Sequence, residues 1–307
     1  MYEQLLQQIR TGDIKSLARA ISFIENEQQG YEELLRCLTD NSSVNIIGVT
    51  GPPGAGKSTL VDAMIGEFVK ENKKIAVLCV DPSSPFNLGA LLGDRIRMSE
   101  WYTHPGIFIR SLATRGSMGG LSPKIIEITD LIKTAGFDHI IIETVGVGQS
   151  EIEIAGLANT TVVVMVPESG DEVQTMKAGL MEIADIFVIN KSDRPDVDLF
   201  EKNLRLTFAP AFHTDKKKVP IIKTIATEKK GITDLVAAIL LHQTHEYIHE
   251  KNLLLLADKA WQLLVCKRMK GVDKMQLKQR IGASLKNKNF NLYSFIEHYS
   301  ENTDTIK

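Results

Sequence analysis

The sequence is poor in cysteine: Cys37, Cys79 and Cys266 are spread through 307 residues and share no metal-ligand spacing. That excludes a disulfide framework and a paired-cysteine metal site, and it suits a reducing compartment. Cys79 falls inside an apolar run and is expected as a small buried hydrophobe. A surplus of charge is also missing. The net charge of −2 gives no broad attraction to nucleic acid or to an anionic membrane. No apolar run approaches membrane-spanning length, and the stretch from Met1 to Gln8 lacks the charged-then-apolar order of a signal peptide. The expectation is a cytoplasmic protein with no membrane and no nucleic-acid partner. Internal repeats and low-complexity tracts are absent as well. At 43% hydrophobic and 24% charged, the composition is that of an ordinary globular protein. Its length allows one large domain with appendages.

Against that background one stretch stands out. Gly51, Pro52, Pro53, Gly54, Ala55, Gly56, Lys57 and Ser58 fit the phosphate-loop pattern GxxxxGK[ST]. Val44, Ile46, Ile47 and Val49 predict a strand before it. Leu60, Met64, Ile65 and Phe68 predict a helix from Lys57 to about Lys70 after it. Glycines at 51, 54 and 56 let the backbone curl so that successive N–H groups point inward at a polyphosphate. The helix N-terminus adds a dipole that favours negative charge. In such a loop Lys57 reaches the β- and γ-phosphates, and the Ser58 hydroxyl is a ligand of Mg²⁺ with Thr59 beside it.

The remaining chain reads as an α/β protein. Residues 2–39 are helical, with Gly12-Asp13 as a cap and Ile14, Leu17, Ala18, Ile21 and Ile24 on one face. They predict a layer packed on the main domain. Lys74–Val80 is a strand that ends in Asp81, and a further acid, Asp94, follows. Carboxylates just beyond a parallel strand lie on the edge where such sheets bind ligands, which suits Mg²⁺ or water positioning. Ile107–Ile109 is a short strand leading into a donor-rich loop, Arg110–Gly120, read either as a nucleotide or partner sensor or as a surface connection.

Asp138–Ile142 is another strand, closed by Glu143 and, three residues on, Gly146. Glu143 would hold Mg²⁺ through water, and the Gly146 N–H could bond the γ-phosphate, so that losing this phosphate releases the loop. Thr161–Val166 and Ile186–Ile189 are strands. The second ends in Asn190-Lys191-Ser192-Asp193, an NKxD signal. The Asp193 carboxylate can accept the guanine N1–H and N2–H pair, which adenine cannot offer, while Asn190 and Lys191 brace the loop and cover the ring. Leaving that carboxylate buried and unpaired would disfavour adenine by a few kcal/mol. After a strand at Val219–Ile222, Thr224–Thr227 occupies the place of a last base-contacting loop, with Ala226 and Thr227 in it. From Gly231 the pattern is helical, and broad apolar faces beyond residue 250 suggest subunit pairing or partner docking. The expected architecture is a three-layer α/β fold with a mainly parallel sheet: helical segment 1–41, phosphate-loop domain 42–249, helical arm 250–307.

With these motifs in place the chain resembles the MeaB-type, or ArgK-type, GTPases of the metallochaperone-like group. The phosphate loop and NKxD are generic to GTPases. The more specific stretches are Asp81-Pro-Ser-Ser-Pro85, Gly93-Asp94, Arg110-Ser-Leu-Ala-Thr-Arg-Gly116 and Glu143-Thr-Val-Gly-Val-Gly-Gln149. The sequence departs from the family at Asn87–Leu91, where a smaller Ser/Gly-rich stretch is expected. The resemblance implies a homodimer that hydrolyses GTP to GDP and assists an adenosylcobalamin-dependent acyl-CoA mutase, usually methylmalonyl-CoA mutase. It would gate cofactor loading and protect the mutase, binding GTP, GDP and Mg²⁺ but no cobalamin itself. The resemblance also places Asp81 and Asp94 in the first switch and the Mg²⁺ region. Glu143 becomes the Walker-B acid, and Asp171, Gln174 and Lys177 form a third switch that answers the mutase.

Three rivals follow from the same residues. A nickel-insertion GTPase needs soft or imidazole ligands, and the chain has no His-rich tract or paired-Cys motif. A kinase or ATPase linked to arginine/ornithine transport, which the ArgK label suggests, needs an acceptor pocket and gains nothing from NKxD. A non-hydrolysing interaction module has no use for Lys57, Ser58 and Glu143 together. No Arg is assignable as a finger, so slow intrinsic turnover, raised by a partner, is expected.

Overall fold

Seven short runs rich in Ile and Val set the frame, and the central ones are buried along almost their whole length rather than on alternate residues. Strands buried on both faces read this way, because helices cover both sides of a parallel sheet. The computed structural model describes residues 2–38, 44–81, 98–114, 121–144, 150–167, 183–208, 219–243, 249–269, 272, 274–285 and 290–303. Its strands are β1 (Asn45–Thr50), β2 (Ile75–Asp81), β3 (Ile107–Ala113), β4 (His139–Glu143), β5 (Thr160–Met165), β6 (Ile186–Ile189) and β7 (Ile221–Lys223). They pair in the order β3-β2-β4-β1-β5-β6-β7, and every ladder is parallel.

The order carries the first functional consequence. The chain leaves β1 towards β2 and β3, returns to β4, and then crosses to β5 on the other flank of β1. Strand β1 therefore lies at the topological switch, between β4 and β5, where open α/β sheets form a crevice beyond their carboxyl ends. In register, Val49 of β1 lies opposite Glu143 of β4, and Glu143 lies opposite Cys79 of β2. Asp81 thus stands two residues further along the same edge.

Alternation along the strands divides the core in two. Ile47, Val49, Val77, Cys79 and Ile141 point to the face covered by α4 (Lys57–Lys70) and by the helix Ile232–Gln243. Ile46, Leu78, Val80, Ile140 and Ile142 point to the other face. There they meet the N-terminal helices α1 (Tyr2–Arg10), α2 (Ile14–Glu25) and α3 (Tyr31–Arg36), together with α5 (Ile125–Lys133). The predicted N-terminal layer is present, and Asp13 caps α2 by accepting the Lys15 N–H at 2.9 Å. Cys79 is buried, as expected.

One sequence expectation needs correction. Arg110 to Ala113 do not begin a loop but extend β3 to Ala113. Phe108, Arg110 and Leu112 alternate towards the N-terminal layer, and an arginine is accommodated there because α2 supplies its partners. Arg110 donates to Glu25 at 3.0 Å and to Ser22 at 3.1 Å. The half-buried ion pair explains how a charged residue sits inside an edge strand. Residues 115–120 of the expected loop lie outside the described residues.

The chain divides into two units, residues 1–255 and 256–307. The second holds most of the helix His249–Arg268 and the helices Lys274–Ser284 and Leu292–Thr303. Within it, Phe295 meets the rings of Phe290 and Tyr299, and the Arg280 guanidinium lies over the Tyr299 ring. Trp261, Leu264, Tyr293 and Ile296 are exposed. Among the described residues no helix is long and apolar enough to cross a membrane.

His139 opens β4 with its ring against Phe68, buried on α4's side of the sheet. Burial pulls its pKa below the ordinary histidine value, with Lys73 adding to the effect and Asp138 opposing it. The folded protein therefore favours neutral imidazole. The stability this confers is present above the unfolded value of about 6.5 and is lost as the pH falls from there through the depressed folded value. Urea unfolding at about pH 7.5 and about pH 5.5 is expected to show lower stability at the acid pH. In His139→Phe the difference should shrink.

Candidate nucleotide site

The loop between β1 and α4 occupies the crevice at the switch. All three of its glycines, Gly51, Gly54 and Gly56, have positive φ, and at two of them a side chain would also collide with a neighbour. Gly51 has φ +140°, and a Cβ there would collide with the Val164 carbonyl of β5. Gly56 has φ +87°, and a Cβ there would stand 2.5 Å from Asn190 Nδ2. The loop thus packs without side chains against β5 on one side and the NKxD segment on the other.

Lys57 and Ser58 open α4 and are both buried. The Lys57 ammonium donates to the carbonyls of Gly51 at 2.8 Å and Pro52 at 3.0 Å, so its charge lies along the loop. Ser58 Oγ donates to Glu143 Oε1 at 2.6 Å. Glu143 ends β4 and is buried, and next to it Thr144 Oγ1 donates to Thr50 Oγ1 at 2.9 Å. A hydroxyl and a carboxylate converging at a strand edge form a hard-oxygen donor set of the kind that suits Mg²⁺. Among the described residues no group of three or more His, Cys, Asp or Glu could hold a metal by itself. A metal here would draw further ligands from phosphate and water, as Mg²⁺ does. Asp81 is buried at the end of β2, where its carbonyl accepts the Thr114 N–H at 3.0 Å. Thr59 is half-buried in the first turn of α4, and Pro53 and Gly54 are exposed at the loop's crest.

Asn190 is the hub of the site. It follows β6, is buried, and its backbone N–H donates to the Met165 carbonyl at 2.8 Å. Nδ2 donates to the Ala55 carbonyl of the phosphate loop at 2.9 Å. Oδ1 accepts from Thr224 Oγ1 at 3.1 Å and from the Ala226 N–H at 3.2 Å. One amide thus joins three segments. Lys191 reaches the same loop, donating to the Gly54 carbonyl at 2.8 Å from a left-handed backbone (φ +56°). Asp193 and Thr227 are exposed at the rim. The sequence argument treats the Asp193 carboxylate as buried, but in the fold any burial would have to come from the base that covers it.

The structure therefore brings Gly51 to Thr59, Asp81, Glu143, Asn190, Lys191, Asp193, Ala226 and Thr227 to one edge of the sheet. Asp94, Gly146, Asp171, Gln174 and Lys177 lie outside the described residues. Two contributors were not identified from sequence: Thr224 as a donor to Asn190, and the Thr50–Thr144 hydroxyl pair. A threonine at the end of a buried strand is the only sequence mark either leaves.

Comparison with known proteins adds four findings. The family model described as methylmalonyl-CoA mutase-associated GTPase MeaB matches residues 17–270. A Pyrococcus abyssi protein whose name places it among the GTPases is 47% identical over 253 residues, covering 79% of this chain and 76% of that protein. The fused isobutyryl-CoA mutase of Geobacillus kaustophilus is 35% identical over 237 residues, 73% of this chain but 22% of that longer protein. Among solved structures, a protein titled LAO/AO transport system kinase superposes with a TM-score of 0.68 at 26% identity, covering 99% of this chain and 97% of that one.

Removing the hub should be costly. Asn190→Ala leaves the Thr224 hydroxyl, the Ala226 N–H and the Ala55 carbonyl without their partner, at about 1–3 kcal/mol for each buried group left unsatisfied. Denaturant unfolding is expected to show a loss of about 2 kcal/mol or more. Titration with a fluorescent guanine nucleotide should show binding weakened by more than about tenfold.

Proposed function

Because the chain belongs to the MeaB family of methylmalonyl-CoA mutase-associated GTPases, and is a GTP hydrolase of the phosphate-loop class, we propose that it gates cofactor loading and protects an adenosylcobalamin-dependent acyl-CoA mutase. The observation that carries the reading is the Asn190 junction, which ties a base-reading segment to a phosphate loop through one buried amide. Binding of the base and the state of the phosphates are then mechanically linked. The partner class is supported by the family's description and by a relative in which a homologous segment is part of a fused isobutyryl-CoA mutase. Methylmalonyl-CoA mutase is the first candidate. The chain itself binds no cobalamin in this reading.

The chemistry is positional and electrostatic. The loop amides between Gly51 and Ser58 cradle the α- and β-phosphates, and Lys57 moves its ammonium from the Gly51 and Pro52 carbonyls to the β- and γ-oxygens. Ser58 and Glu143, with Asp94 from the first switch, would hold a magnesium ion, which when bound neutralises charge between the β- and γ-phosphates. Asp81 and Glu143 orient water at the strand edge, and the Gly146 N–H senses the γ-phosphate. Asp193 reads guanine, and Lys191, Ala226 and Thr227 line the base. Asp171, Gln174 and Lys177 answer the mutase. The helices beyond residue 250 pair two copies, and their exposed Trp261 and Leu264 are suited to such a surface. The cytoplasm remains the expected compartment.

A second reading, phosphate transfer to a small molecule or protein, is favoured by one observation, the likeness to the structure titled as a transport system kinase. The same experiment separates the two. Hydrolysis of GTP by the purified protein is measured with and without adenosylcobalamin-dependent methylmalonyl- or isobutyryl-CoA mutase, with ATP as control. Slow GTP turnover that rises on adding a mutase is the expected result. Turnover indifferent to any such mutase would refute the chaperone role, and preference for ATP with a phosphorylated acceptor would put the kinase first. Asp193→Asn replaces the acceptor pair by one donor and one acceptor, which matches xanthine better than guanine. Its GTP affinity should fall by about a hundredfold or more, the loss of a charged bidentate pair, while xanthosine triphosphate competes better than in the parent.

A further inference from the structure

The segment that re-enters the described fold after Asp94 is held in an unusual way. Met98 is fully buried in the core on the α4 side. From there a short turn is braced by successive backbone bonds: Trp101 N–H to the Met98 carbonyl, His104 N–H to Trp101 and Ile107 N–H to His104, each at 3.1 Å. The Gly106 carbonyl then accepts the Ile75 N–H of β2 at 2.9 Å. The His104 ring stands edge-on to the Trp101 ring. The Trp101 side chain of this turn is directed at α4. Trp101 Nε1 donates to Asp62 Oδ1 at 2.8 Å. Its ring lies over Gly66, with two ring carbons 3.6 and 3.7 Å from where a Cβ would stand.

The place of that contact on α4 matters. Ser58, Asp62 and Gly66 recur every four residues and so form one column along the helix. At 1.5 Å per residue, Asp62 is about 6 Å down the axis from Ser58, the residue assigned to the metal. Trp101 is therefore seated on the same stripe that carries Ser58 at its head. Burial raises the Asp62 pKa above the ordinary carboxylate value, and the Trp101 N–H opposes that rise. A half-buried carboxylate is costly without donors, and the indole N–H offsets part of that cost.

We propose that Asp62 and Trp101 are positioning residues for GTP turnover, fixing the segment that follows Asp94 at a set height on the helix that presents Lys57 and Ser58. Neither residue touches the nucleotide. Their contact determines where the chain leaving the first switch is anchored relative to the metal and the phosphates. The inference rests on the assignment of Asp94 to the Mg²⁺ region. A shift of about 1 Å in a group placed for chemistry can cost up to a hundredfold in rate, so loss of the contact should appear in turnover rather than in nucleotide affinity.

The test is single-turnover and steady-state GTP hydrolysis by the full chain, with GDP affinity and melting temperature measured alongside. Trp101→Phe keeps a ring over Gly66 and removes the donor. Asp62→Leu removes the acceptor, and Asp62→Asn keeps an oxygen that can accept the indole N–H. Trp101→Phe and Asp62→Leu are expected to lower kcat by about tenfold and to raise the Mg²⁺ concentration giving half-maximal rate. KM for GTP and GDP affinity should stay within about twofold, and Asp62→Asn should retain most of kcat. The proposal is overturned if Trp101→Phe leaves kcat unchanged, or if Asp62→Asn fails with Asp62→Leu. It is also overturned if kcat, GDP affinity and melting temperature fall together, as a merely structural role would require. Asp94→Asn separates the two layers of the argument. If that variant keeps full turnover, the proposal falls with the reading beneath it. If it loses turnover while Trp101→Phe does not, the proposal falls alone.

Discussion

A single buried amide holds the functional edge of this protein together. Asn190 is nearly without solvent contact, and its side chain links the phosphate loop at Ala55 to the segment at Thr224 and Ala226. Gly56 must lack a side chain because that amide occupies the space a Cβ would need. Lys191 repeats the link one residue later, through the Gly54 carbonyl. A loop whose amides must converge on a polyphosphate has little intrinsic order, since its glycines lose much conformational entropy on folding. Cross-bracing by neighbours with a buried, fully engaged hydrogen-bond set offsets that loss. It also ties the segments at Asn190 and Ala226 directly to the phosphate loop.

The sheet explains why these parts meet at all. With β1 placed between β4 and β5, the carboxyl ends of β1, β4 and β6 lie on the same edge. The N-terminal helices fill the far face of the same sheet and share its core. They are joined to the edge strand through Arg110 of β3 and its partners Glu25 and Ser22. For an ion pair of this kind, half-removed from water, the desolvation cost offsets much of the attraction, so its contribution to net stability is small.

Much of this was legible in the sequence, because the signals that carry it are local. Continuous apolar runs mark parallel strands, and GxxxxGK[ST] between a strand and a helix leaves little freedom in where its atoms go. NKxD at the end of β6 is read the same way. What escaped the reading depends on partners distant in sequence. Arg110 looks like a loop residue until Glu25, 85 residues away, is brought beside it. Trp101 and Asp62 are 39 residues apart, and Thr224 and Asn190 are 34 apart. No periodicity reports such pairs, since each is decided by which faces the topology brings together. Asp193 is a further case: its exposed rim position follows from the turn after β6, which the motif alone does not describe.

The polar groups at the mouth of the site compete for the same partners that a nucleotide would need. Lys57 already lies on two backbone carbonyls, and the Ser58 hydroxyl already lies on Glu143. A phosphate binding here exchanges these bonds for new ones, so the net gain per contact is small, as for most intramolecular hydrogen bonds. The larger difference comes from charge. An ammonium against carbonyl dipoles gains much less than the same ammonium against phosphate oxygens in a water-poor crevice. In the proposed reading affinity depends on the number of phosphate charges within reach of Lys57, whereas selection of the base falls to Asp193 at the exposed rim. The two discriminations reside in different residues, and the Asn190 junction makes them act on one ligand.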